Sequence, residues 1–301
     1  MNDKTSLSSS ARLVELNISV VTGSKLDKRA SDKVNTDNNA KDKVARVTKN
    51  IFAHSEVLPD IGSVASEARV THQKMTLPWN DNGQRLIPND MIIEHMQVMS
   101  EYRADFEKLV EDFKEELPTL REEAEQSLGS LYNPNDYPST LETEQYISNK
   151  FKFICEYPQV PENGGFLNGV LEDVREDIEA GLKEGYDRKL KNATQDAWTR
   201  MAKCIERLST QLTDRSDGKP RKLYASLLTN TKELCDNLKH FNLTDDPKLE
   251  DARLELWKII ERADIDDLRD KDWGYQARQD MKDKVDDVKA SVDEIPSKFN
   301  F

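Results

Sequence analysis

An α+β fold, predominantly α-helical, with long antiparallel helices and one small β-sheet, is what three observations predict. Apolar residues recur at helical spacing along most of the chain. Two short stretches alternate apolar and polar residues instead. Glycine and proline number only 11 each in 301 residues. Few turn formers and long periodic runs favour helices over a turn-rich β architecture.

The first strand is predicted at 13–21, where Val14, Leu16, Ile18 and Val20 alternate with Glu15, Asn17 and Ser19. Residues 1–11 before it are polar and serine-rich and read as a disordered tail. After Gly23 the chain is lysine- and aspartate-rich. Val44, Val47 and Ile51 predict a helix near 38–53, with the nearly apolar-free stretch Asp32–Asn39 as a mobile connection. On that reading, the lysines from Lys41 to Lys49 form a solvated helix face. A second helix is predicted at 61–74, with Ile61, Val64, Ala65, Ala68 and His72 on one side. Asn82-Gly83 favours a tight turn, and Leu77/Trp79 with Leu86/Ile87 could pair across it, an ordered loop being the alternative because Pro78 weakens any ladder.

The strongest periodicity follows. Ile92, Met99, Phe106, Phe113 and Leu120 recur at every seventh position. Met96, Val110, Leu117 and Ala124 fill the second seam, with Arg103 as the exception. This heptad stripe marks a coiled-coil-like helix. Pro118 falls inside it, where a proline costs ~3 kcal/mol and predicts a kink or break. An end is expected near Gly129. Ser139 and Glu142 match a capping box for a short helix. Phe151, Phe153, Cys155 and Tyr157 form the second alternating strand, ended by Pro158 and Pro161.

From Leu167, Val170, Leu171 and Val174 to Leu212 the spacing is helical again. Gly181 and Gly185 suggest a close helix approach or a bend. A returning helix through Leu223–Phe241 completes a predicted hairpin over 167–241. Asp246-Pro247 opens the next helix, and Ala277, Met281, Val285, Val288 and Val292 give the last. Three regions result: the tail 1–11, an α+β domain at 12–165, and a hairpin with C-terminal helices at 166–301, packed with the first region.

Composition narrows function. The net charge of −13 argues against broad nucleic-acid affinity and against an anionic membrane leaflet. Cys155, Cys204 and Cys235 are odd in number and widely spaced, which favours a reducing cytoplasm over a disulfide framework. No stretch approaches the ~20 apolar residues of a transmembrane helix, and Met1–Ser10 lacks the apolar centre of a signal peptide.

No P-loop, dinucleotide-binding glycine string, nucleophile elbow or D-x-S-x-S string is present. His54, His72, His95 and His240 are far apart in sequence, so no metal spacing is readable. The acids Asp264, Asp266, Asp267, Asp270 and Asp272 lack the frame of a calcium loop and read as a solvated helix-start region. No catalytic residue, metal ligand or cofactor is expected. Protein contact is the chemistry left. Ile92, Met99, Phe106 and Phe113 of the heptad stripe, with Trp79 and Trp273, are the candidate contact residues. Intramolecular packing of the same stripe, and core anchoring of the tryptophans, are the plainer alternatives.

Five strings in order, Leu13–Lys25, Leu77–Pro88, Leu128–Pro138, Phe151–Pro161 and Asn242–Glu250, carry a resemblance over roughly 11–290. Together they resemble an uncharacterised family of phage and bacterial proteins. Its members are often encoded beside a MoxR-type AAA+ ATPase and a protein with a von Willebrand factor A domain. Where that family has an aromatic before Thr22-Gly23, this chain has Val21. The resemblance implies a third component beside the ATPase and the von Willebrand A protein, in the cytoplasm of a bacterial or phage-infected cell. The heptad stripe, the long hairpin and the missing catalytic strings favour a helical adaptor, for which a second copy of the chain is a further candidate partner. A phage structural or host-interfering protein, and an enzyme with a dispersed metal site, remain the other classes.

Overall fold

The computed structural model describes residues 7–80, 82–160, 172–270 and 272–293. In chain order the elements are α1 (Leu7–Ser10), β1 (Ala11–Ser19), β2 (Ser24–Asp27), α2 (Lys28–Asp37), β3 (Val47–Asn50), α3 (Val57–Lys74), β4 (Leu77–Pro78), β5 (Arg85–Pro88), α4 (Ile92–Leu128), α5 (Thr143–Lys150), β6 (Lys152–Glu156), α6 (Glu172–Leu212), α7 (Ala225–Phe241), α8 (Pro247–Glu261), α9 (Ile265–Arg269) and α10 (Gly274–Asp293). The fold is mostly helical α+β with small antiparallel sheets. Residues 1–6, most of the tail expected to be disordered, lie outside the described residues. So do Pro161, Leu167, Val170 and Leu171. Leu7 is buried in α1 and Ala11 already begins β1, so 7–11 is structured.

The chain divides into two compact units, one of residues 1–15, 73–93 and 157–301, the other of 16–72 and 94–156. The first is a bundle. In it α6 packs on α7, α7 on α8, α8 on α10 and α10 on α6, closing a ring of four helices. Arg200 lies over the Phe241 ring and Cys204 meets Thr231. As α6 advances its partners on α7 recede, so the two helices are antiparallel. The expected hairpin is therefore half of a larger bundle. Ala197, Met201, Ile205, Leu208 and Leu212 of α6 are fully or nearly fully buried, as steps of three and four require. A Cβ built on Gly181 or Gly185 would meet nothing within 4 Å, so neither marks a close approach. The same unit holds the β4–β5 hairpin, turned at Gly83 (φ +95°), and the first residues of β1, paired antiparallel to β5 from Ala11↔Pro88 to Val14↔Arg85.

The second unit is built on α4. Met99, Phe106, Val110, Phe113, Leu117, Leu120 and Ala124 face a core completed by Ile61, Ala65 and Ala68 of α3, Phe52, Tyr137, Phe151 and Phe153. Phe113 meets Phe52 edge-on at 5.3 Å and Phe151 at 5.3 Å. Arg103, the interruption of the heptad, lies over Phe153 at 6.0 Å. Helix α4 runs through Pro118 without a break. Pro118 sits on the exposed face, where water can satisfy the carbonyl it leaves unbonded. The expected capping box forms only in part: the Glu142 carboxylate accepts from the Ser139 N–H, but the Ser139 hydroxyl donates to that carboxylate instead of capping, and Glu142 itself stands at the N-cap of α5.

The stretch from β2 to β3 departs furthest from its sequence expectation. Asp32–Asn39 is no mobile connection: α2 covers most of it. No helix spans 38–53: the chain there turns and enters β3, which pairs with β2. Val44 is 71% exposed. The interior face of α2 is polar, which apolar periodicity cannot detect. Asp27 caps α2 by accepting from Ala30 N–H. Buried Asn35 donates to the Ala45 carbonyl and accepts from the Ala45 N–H at 2.9 Å, while Val47 N–H donates to Ser31. Lys49, expected on a solvated helix face, is buried in β3. It bonds the Leu131 carbonyl and pairs with Asp136 at 2.8 Å and Asp27 at 3.3 Å.

Candidate functional site

The predicted contact residues separate into three environments. Met99, Phe106 and Phe113 are spent on the α4 core, and Ile92 is half-buried at the start of that helix. Trp79 is buried in the bundle unit, edge-on to Tyr186 at 5.7 Å and under the Lys189 ammonium. Trp273 is 77% exposed. Of the six, Trp273 offers the largest free apolar surface; it belongs to the bundle unit, and Met99, Phe106 and Phe113 to the α4 unit.

Trp273 sits on a corner between α9 and α10 where two aspartates cap the backbone. Asp264 caps α9 by accepting from the Asp266 N–H at 2.8 Å. Asp270 does the same for the next turn, accepting from the N–H groups of Asp272 and Trp273 at 2.7 and 2.9 Å. Those two bonds hold the Asp270 carboxyl below its ordinary pKa. The acidic run is thus partly a pair of caps, in line with its reading as a helix-start region. Gly274 completes the corner. A Cβ there would lie 3.1 Å from the Leu268 carbonyl oxygen and 3.3 Å from the Arg269 backbone, so any larger residue would push the start of α10 and the end of α9 apart by a few tenths of an ångström. Arg278 donates to the Leu268 carbonyl from the far side. Arg269 donates twice to the Leu223 carbonyl, which brings the exposed Tyr224 to the same end of the bundle. Tyr275 is exposed as well.

Beside this corner, α8, α9 and α10 enclose a groove of about 280 Å³. Ile259, Ala263, Leu268, Ala277 and Met281 supply its apolar surface, and lysines, an arginine and aspartates its rim. Sequence reasoning missed it. Its walls come from positions some twenty residues apart, and the small side chains that open it, Ala263 and Ala277, look like ordinary helix residues.

Two other polar clusters read as structure. His72 Nδ1 and His95 Nε2 share a hydrogen bond of 3.0 Å between α3 and α4, both rings buried. Burial pushes His95 down to about 4, so it is neutral at pH 7. In the bundle unit, Arg85 and Arg200 both donate to the Thr76 carbonyl, and Arg200 also to Lys74. They close the backbone of the 73–76 turn, a capping role. Cys204 and Cys235 are free thiols whose pKa values burial raises, that of Cys235 to about 12. Such thiols are poor nucleophiles. Among the described residues no cluster of three or more His, Cys, Asp or Glu side chains could hold a metal ion, and no helix is long and apolar enough to cross a membrane.

No family model matches the chain, and neither a curated protein nor a solved structure does.

Proposed function

We propose that the chain is a non-enzymatic helical adaptor that docks protein partners at the α9–α10 end of its bundle. One observation carries this reading: a tryptophan about three-quarters exposed on a capped, closely packed corner. Exposing so much indole gives up ~2 kcal/mol or more of burial, and the caps forgo the chance for the ring to fold back. Exposed aromatics on rigid supports are the side chains that dominate protein interfaces. Tyr224 and Tyr275 widen the patch. The adjoining groove adds a place for an anchor.

The resemblance to proteins encoded beside a MoxR-type AAA+ ATPase and a von Willebrand A protein supplies the candidate partners. An accessory role suits a chain whose sequence has neither a P-loop nor a D-x-S-x-S string. The test is capture of the purified ATPase or von Willebrand A protein, with and without ATP, by the full chain and by Trp273→Ala. At least a tenfold loss of capture is expected, with thermal midpoint unchanged because an exposed ring contributes little to folding. Undiminished capture by the variant would remove this surface from the function.

A further inference from the structure

We propose that Asn82 is a site of spontaneous covalent modification. Its side chain closes on the backbone nitrogen of Gly83 and ends as aspartate or isoaspartate in the turn between β4 and β5.

Asparagine is among the thermolabile side chains, and the chemistry is simple to balance. The backbone nitrogen of the following residue attacks the side-chain carbonyl carbon. A C–N bond forms, the amide nitrogen leaves as ammonia with the backbone proton, and a five-membered succinimide remains. Water then opens the ring at one carbonyl or the other. Aspartate results from one opening and isoaspartate from the other. No oxidant, reductant or enzyme is needed.

This turn favours the attack in three ways. Gly83 has no Cβ to obstruct the approach, and even a Cβ built there would meet nothing within 4 Å, so the ring has room to form. The Gly83 N–H donates no hydrogen bond among the described residues, so the attacking nitrogen is not tied to an acceptor. The Asn82 side chain is held by one long bond. Its Oδ1 accepts from the Gln84 N–H at 3.5 Å, a donor it shares with Asn80 Oδ1 at 3.1 Å. Both Asn82 and Gly83 are exposed, so water reaches the ring.

Asn50 shows the protected case. It too is exposed. Its Oδ1, however, accepts from the Phe52 N–H at 3.0 Å. The next residue is the β-branched Ile51, whose N–H is committed to the Gly23 carbonyl at 2.8 Å. Exposure alone therefore does not separate the two asparagines; the neighbouring backbone nitrogen does.

The product differs from the parent in two respects. Each event adds one negative charge to the formal −13. Isoaspartate also routes the backbone through the former side chain. That adds a carbon inside the loop that the Trp79 N–H closes on the Gln84 carbonyl at 3.3 Å.

The test ages the full chain in neutral buffer and follows it by peptide mapping, with mass and retention time separating the Asn, Asp and isoaspartate forms. Mapping reads Asn82 apart from Asn163-Gly164 and Asn168-Gly169, Asn-Gly pairs that lie outside the described residues. Asn82 is expected to convert at least tenfold faster than Asn50, to yield isoaspartate, and to speed up as pH rises and the attacking nitrogen loses its proton more readily. Gly83→Ala should slow the conversion at least tenfold. Alanine is strained at the φ of +95° found here, so the thermal midpoint of that variant is measured alongside. If it does not fold, the rates of Asn82 and Asn50 in the parent chain decide. Conversion of Asn82 no faster than that of Asn50, aspartate without isoaspartate, or an unchanged rate in folded Gly83→Ala each overturns the proposal.

Discussion

The bundle unit and the α4 unit solve the same problem with different interiors. Where α6 meets α7 and α10, the bundle buries mostly aliphatic side chains, with Leu208, Ile205 and Leu212 inaccessible to solvent. The α4 unit has an aromatic core, and beside it a region held by polar groups: Asn35, Ser31, Lys49, and the His72–His95 pair. Aliphatic packing is non-directional and tolerates adjustment. A buried hydrogen bond specifies one geometry, and loses most when one partner is removed. The two interiors should therefore fail differently.

The largest effect is expected in the bundle. Leu208→Ala removes a fully buried side chain from α6 and leaves a cavity among its neighbours, a change that costs about 3 kcal/mol. Urea unfolding should show that loss with no dependence on pH between 5 and 8. A loss below ~1 kcal/mol would mean that the helices close over the gap, and the bundle would be softer than its burial suggests.

The α4 unit should instead respond to acid. His95 has its pKa lowered by burial to about 4, against about 6.5 in an unfolded chain. The folded state thus refuses a proton that the unfolded state accepts. Stability is full above pH 6.5, falls as pH drops through the window from 6.5 to 4, and changes no further below it on this account. The slope is about 1.4 kcal/mol per pH unit, or about 3 kcal/mol over the window. Between pH 6.5 and 5.5 most carboxylates stay ionised, so the slope there reports the imidazole. His95→Gln should flatten it in urea titrations. An equally steep slope in the variant would place the acid sensitivity elsewhere.

What the sequence revealed follows the same division. The heptad of α4, the steps of α6 and the alternation in β1 and β6 were legible because burial by apolar residues leaves a period. Helix α2 and strands β2 and β3 were not, because their interior positions are Ser31, Asn35 and Lys49, residues that on average face water. Val44 and Val47 then pulled the expected helix to the wrong place. One signal was available: Asp27 is a good cap residue followed by a run without proline or glycine. Of the contact surface, Trp273 and the acidic run were legible. The groove was not, since it depends on how α8 and α10 lie together.

The smallest of these effects is the most direct test of the polar region. Asn35 bridges α2 to the chain entering β3, donating to the Ala45 carbonyl and accepting from its N–H. Asn35→Ala leaves both Ala45 groups without that partner, at a cost of about 1–2 kcal/mol. Because the bonds are local, the loss should appear in hydrogen exchange as faster opening of 28–50, with the α4 core amides unchanged. Asn35→Leu separates the two physical accounts. If the site merely needed filling, leucine would restore protection through added apolar burial. If the amide's two directional bonds hold α2 against β3, leucine should be no better than alanine, because it fills space and still leaves the part-buried N–H and C=O of Ala45 without their partner. Recovery with leucine would erase the contrast between the two interiors.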